Sequence, residues 1–163
     1  GFPASARQAD VTRNLALAYL EGGRPGEAAG EFERIAASGD EPPEVQRSAL
    51  LQAAELYEKS GQTARAMATW EGYVQRFPAP LAEAVEARQK LADWAGKNGD
   101  GMGRRRWLEG IVAADRDAAS ARTDRSRYLA ALATLELTSV ERDAFRSIAL
   151  VAPLKQSLAA KKT

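Results

Sequence analysis

The chain has 163 residues, enough for one domain with a continuous core. It holds 23 Lys plus Arg against 22 Asp plus Glu, a formal charge of +1, and so lacks the basic field that nucleic acid or an anionic membrane surface demands. Without His or Cys, the sequence excludes Ser-His-Asp triads, Cys nucleophiles, imidazole or thiolate zinc sites and disulfides, leaving catalysis to carboxylates, Lys or Tyr.

Ala, Leu, Glu, Arg and Gln dominate, alternating strand patterns are nearly missing, and no apolar run approaches the roughly 20 residues needed to span a bilayer. The expected class is all-α. In chain order, helices are expected at 5–22, 25–38, 43–60, 63–77, 80–97, 103–119, 122–136 and 139–151. Residues 153–163 read as the start of a further helix.

The first two helices carry the markers Leu15, Ala16, Tyr19, Gly23, Ala28, Phe32 and Ile35. A step of 38 positions lands on Ala53, Ala54, Tyr57, Gly61, Ala66, Trp70 and Tyr73. A second step gives Leu91, Ala92, Ala95, Gly99, Arg104, Leu108 and Ile111, and a third gives Leu129, Ala130, Ala133, Leu137, Arg142, Arg146 and Ala149. The match is nearly complete in the second copy, about half in the third, and confined mainly to the first helix in the fourth. Ala16, Ala54, Ala92 and Ala130 are small where two helices must approach. Tyr19 and Tyr57 share their face. Gly23 and Gly61 fall where a left-handed helix cap needs no Cβ. Ala28 and Ala66 give the second helix its close contact, and Phe32 and Trp70 fill the groove beside it. A lone hairpin cannot bury both faces, so such units must stack.

The order of small residue, Tyr, Gly, Ala and large aromatic, closed by Pro78, resembles the tetratricopeptide repeat. The usual repeat of that family is shorter than 38 by four residues. Here the extra length falls around Asp40-Glu41-Pro42-Pro43 and Phe77-Pro78-Ala79-Pro80, where Pro42 and Pro80 are placed to start helices. The resemblance implies a right-handed α-solenoid with repeats at about 5–40, 43–78, 81–119 and 122–152. It also implies a protein-interaction scaffold rather than an enzyme, with no cofactor or metal and no direct membrane insertion. The long linker with Arg76-Phe77-Pro78 is similar to that of bacterial envelope members, the outer-membrane-assembly lipoproteins and the Tol-Pal-associated coordinators. That likeness implies a periplasmic location, with the cytoplasm as the alternative. Gly1-Phe2-Pro3-Ala4 resembles the same linker, so a longer parent with more repeats is expected.

In such a stack the concave wall is formed by the first helices. Its expected residues are Arg13, Leu17, Leu20 and Glu21, then Leu51, Glu55, Glu58 and Lys59, then Gln89, Asp93 and Lys97, and finally Arg127 with Ala131 and Thr134. Mixed charge beside exposed Leu suits a peptide or protein partner. Packing of Leu17 and Leu20 against a preceding repeat is the other reading. A carboxylate clamp of the family kind is not carried over, because Leu17 and Glu55 stand beside Arg13 and Asn14 where polar, cationic groups are needed. Two rival functions remain: a homo-oligomeric scaffold, and a glycosidase using Glu55 and Asp93.

The stretch Gly96 to Arg106 departs from the pattern, with Gly96, Gly99, Gly101 and Gly103 ahead of Arg104-Arg105-Arg106. It reads as a flexible connector. An anion nest is a second reading. A calcium loop from Asn98 to Glu109 is a third, opposed by Met102 and three arginines. Trp70 and Trp107 are expected in the core, with Trp94 open. Arg116, Arg122, Arg125 and Arg127 interleave with Asp115, Asp117 and Asp124, which reads as a solvated ion-pair surface.

Overall fold

A computed structural model of the protein describes residues 4–148 and Lys161. All regular structure among them is helical: α1 (Ala4–Glu21), α2 (Pro25–Ala37), α3 (Pro43–Lys59), α4 (Thr63–Arg76), α5 (Leu81–Lys97), α6 (Gly101–Asp117), a single 3-10 turn Ala119–Ala121, and α7 (Asp124–Ser147). Each helix packs against the next, and α5 also touches α7, so three hairpins and a seventh helix follow one another as a helical solenoid. The first five helices lie within two residues of their expected ends.

The hairpin turns show why the 38-residue step recurs. Gly23, Gly61 and Gly99 have φ of 67°, 73° and 74°, a conformation that costs any other L-residue a Cβ clash. Each turn closes with the same pair of bonds. The amide after the glycine donates five residues back, from Arg24 to Tyr19 (2.8 Å), Gln62 to Tyr57 (2.9 Å) and Asp100 to Ala95 (2.9 Å). The glycine amide donates three residues back, to Leu20, Glu58 and Gly96. Otherwise orphaned carbonyls at the helix ends are thereby satisfied.

The markers are buried as their spacing requires. Ala28, Ala53, Ala54 and Ala66 are fully buried, and Trp70, Tyr73, Leu91, Leu108 and Ile111 are nearly so. One core runs through α2, α3, α4 and α5 around Ile35, Tyr57, Trp70 and Tyr73. The other joins α5, α6 and α7 around Val85, Leu108, Ile111 and Leu129. Burying each large side chain contributes about 1.5–3 kcal/mol. Trp70 meets Tyr73 edge-to-face at 6.1 Å, and Tyr73 meets Phe77 at 5.7 Å, so the aromatic row continues into the linker.

The long linkers are held rather than loose. Gln46 Nε2 donates to the carbonyls of Ser38 and Glu41, both at 2.8 Å. Arg76 Nη2 reaches the Ala36 carbonyl at 3.0 Å and Gln46 Oε1 at 2.9 Å. Pro42 and Pro80 occupy the residue just before α3 and α5.

Three expectations are corrected. The fourth pair of helices, at 122–136 and 139–151, is instead one helix as far as Ser147. Leu137 stands where the earlier copies have their turn glycine, and a leucine continues a helix rather than capping one. Residues 149–160, within the expected end of that pair and the further helix at 153–163, lie outside the described residues. The Gly96–Arg106 stretch is not a flexible connector. Gly96 and Lys97 end α5, and α6 begins at Gly101, capped by Asp100 Oδ1 accepting from the Gly103 amide at 2.8 Å. That carboxylate takes the place an anion would need, and helix from Gly101 onward removes the calcium-loop shape. Finally, Asp115 is not a solvated surface charge. It is 2% exposed, 2.5 Å from Arg122 Nη2 and 2.6 Å from Ser126 Oγ.

Candidate interaction surface

The first-helix positions expected to face a partner recur at the same place in α1, α3, α5 and α7. Arg13, Leu51, Gln89 and Arg127 are one such row; Leu17, Glu55, Asp93 and Ala131 are the next. Leu17 is 55% exposed and Leu20 38%. Glu21, Glu55, Lys59, Asp93, Lys97 and Arg127 are exposed. These side chains leave α1, α3 and α5 a polar, charged face broken by two leucines on α1, and on α7 the row of Glu21, Lys59 and Lys97 ends in Leu135, which is 64% exposed.

Other members of the set are already engaged. Glu58 is turned inward: its Oε1 accepts from Trp70 Nε1 at 3.0 Å and its Oε2 from Lys90 Nζ at 2.8 Å, while Lys90 sits 5.1 Å from the Trp70 ring centre. A buried indole N–H needs an acceptor, and Glu58 supplies it. Leu51 is half-buried against the first core. Arg13 pairs with Glu41 at 2.5 Å and with Asp10 at 3.5 Å, so it ties α1 to the linker after α2. Gln89 donates to Asp93 at 2.9 Å along α5, and Arg127 pairs with Asp124 at 3.4 Å. Glu58 and Leu51 are therefore packing residues, and the freely presented charges are Glu21, Glu55, Lys59 and Lys97.

Two cavities open where one hairpin meets the next first helix, and the sequence reading missed both. The first, about 320 Å³, is lined by Arg13, Phe32, Ile35, Val45 and Gln52 among others. The second, about 540 Å³, is lined by Gln89, Leu108, Leu132, Leu135, Glu136 and Arg142. They share two equivalent positions in the first and third units, since Arg13 and Gln89, and Phe32 and Leu108, are each two steps of 38 apart, while the rest of each lining differs.

Residues 48–79 match the family model of the tetratricopeptide repeat. Over that stretch the chain is similar to a tetratricopeptide repeat. The match covers α3 from Ser48 onward, all of α4 and the linker through Ala79, where the turn glycine Gly61, Ala66, Trp70 and Pro78 fall. No curated protein and no solved structure matches the chain. Tetratricopeptide repeats generally mediate protein–protein interaction. Among the described residues, no helix is long and apolar enough to cross a membrane.

Proposed function

We propose that this protein is a protein-binding scaffold that holds a peptide or partner protein on the exposed face of α1, α3, α5 and α7. The observation that carries the proposal is the repeated presentation of Leu17 and Glu21 on α1, Glu55 and Lys59 on α3, and Asp93 and Lys97 on α5. These exposed groups recur on successive first helices, while the buried faces beneath them supply rigidity. A preformed surface of this sort binds without first paying to order a loop. Its groups act by contact alone, so no catalytic residue or cofactor is assigned.

We further propose a bacterial cell-envelope assembly or coordination complex, in the periplasm, as the setting. Its support is the likeness of the Arg76-Phe77-Pro78 linker to those of envelope tetratricopeptide proteins. In this chain that linker is built into the fold, with Arg76 bonding back to the Ala36 carbonyl at 3.0 Å.

The test is capture of a partner by the full chain, by Glu55→Lys with Lys59→Glu, and by Arg34→Glu on α2 as control. Loss with the α3 pair and retention with Arg34→Glu is the expected result. Light scattering over a dilution series separates this from self-assembly, where mass would fall on dilution.

A further inference from the structure

Two matching arrangements of side chains join α3 to α5. At one end, Glu83 on α5 pairs with Arg47 on α3 and accepts from the Tyr73 hydroxyl at 2.8 Å. At the other end the polarity is reversed. Glu58 on α3 pairs with Lys90 on α5 at 2.8 Å and accepts from Trp70 Nε1 at 3.0 Å. Each carboxylate thus bridges α3 and α5 while also accepting a hydrogen bond from an aromatic side chain of α4. Trp70 and Tyr73 are almost wholly buried, so their donors fix where both carboxylates sit. Charge-assisted hydrogen bonds are directional in a way that apolar burial is not.

The two pairs span a gap. α5 packs directly on α7, but α3 and α5 make no comparable backbone contact, and each packs instead on α4. The distance between α3 and α5 is therefore set through α4 and through these pairs. The same positions carry no such pairs elsewhere in the repeat. Between α1 and α3 they are Ala9 with Val45 and Leu20 with Gln52. Between α5 and α7 they are Val85 with Ala121 and Gly96 with Tyr128. Arg13 ties α1 to Glu41 in the linker rather than to α3 itself.

We infer that Arg47, Glu83, Glu58 and Lys90 are positioning residues, two struts that fix the spacing of α3 and α5. Glu55 and Lys59 on α3, with Asp93 and Lys97 on α5, then meet a partner as one preorganised platform. The inference rests on the protein-binding reading above and names what holds part of that surface in shape.

The chain has no Cys, so nitroxide labels can be placed at chosen pairs of sites and their separation read by electron paramagnetic resonance. One pair is Lys59→Cys with Lys97→Cys, across the struts. The control is Glu21→Cys with Lys59→Cys, across α1 and α3, where no strut exists. Arg47→Met with Lys90→Met removes both struts but leaves Glu58 on Trp70 and Glu83 on Tyr73, so the core keeps its hydrogen bonds. In that background the distance distribution across α3 and α5 should widen by about 1–2 Å, the scale of ordinary shifts between packed helices, while the control pair is unchanged. Should that variant not fold, Lys90→Met alone, at a half-exposed site, should widen the same distribution by about 1 Å. No widening without the struts, or equal widening of both label pairs, would overturn the inference. The measurement is made on the free chain, so partner capture that depends on Glu55 and Lys59 would survive such a failure.

Discussion

Arg104 crosses the backbone of Gly96 to grip Glu136 with both arms of its guanidinium, joining α6 to α7 beside the end of α5; Nη2 lies 2.8 Å from Oε2. A methyl group placed on Gly96 would collide with Arg104 Nη1. The glycine that looks like a loop former is thus a space left for an arginine. The ion pair holds the Glu136 carboxyl below the usual carboxylate range.

Gly96→Ala and Arg104→Ala should therefore couple. With Arg104 removed, alanine at 96 gains its ordinary helical preference, about 1 kcal/mol. With Arg104 present, that gain is offset because the guanidinium must leave its place. A double-mutant cycle by denaturant unfolding measures the difference, and strict additivity would contradict the geometry.

Asp115 ties the end of α6 to the start of α7. Arg122 chiefly, and Ser126 after it, hold its carboxyl below the ordinary range against the opposing effect of burial. Ser126 also completes a reciprocal cap with Thr123, with both bonds at 3.0 Å. A depressed folded-state pKa means the unfolded chain binds the proton more readily. The stabilisation is therefore present above the usual aspartate range and fades as pH falls through the lowered value. Asp115→Asn should cost about 2 kcal/mol at neutral pH and flatten the acid limb of the stability curve.

Tyr57 and Tyr73 predict the opposite limb. Burial first, and then hydrogen bonds to Glu33 and Glu83 at 2.8 Å, push both phenols up to about 12. The folded state keeps these protons where the unfolded chain has lost them. Stability should thus decline as pH rises from the ordinary tyrosine value near 10 toward 12. Alkaline unfolding of Tyr57→Phe and Tyr73→Phe should show a shallower slope than that of the parent chain.

Trp70 unites the two halves of the first core, with Glu58 at its N–H and Lys90 over its ring. Trp70→Ala should cost about 3–5 kcal/mol. Glu58→Ala should cost less, about 1–2 kcal/mol, because it leaves one buried donor unpaired. Thermal unfolding of the two variants tests the order.

What was legible in the residues was local and periodic. Gly23 and Gly61 announce their turns because a positive φ admits little else, and the buried alanines announce helix contacts. Contacts set by distant partners were not legible. Arg104 finds Glu136 across 32 positions, and nothing near Gly96 reveals it. Glu58 occupies a surface position by spacing, yet turns inward to serve Trp70 Nε1. Asp115 sits in a run of alternating charges, and its burial with Arg122 and Ser126 is what distinguishes it from Asp117. The unbroken α7 was foreshadowed by Leu137 in place of a turn glycine, though a missing turn residue is a weaker signal than a present one.

The protein-binding role is tested most directly by hydrogen exchange on the full chain with and without its captured partner. Slower exchange in the partly exposed turns of α1, α3, α5 and α7, centred on Leu17, Glu55 and Asp93, is the result predicted. Protection concentrated on α2, α4 and α6 instead, with the first helices unchanged, would contradict the assignment of the binding face.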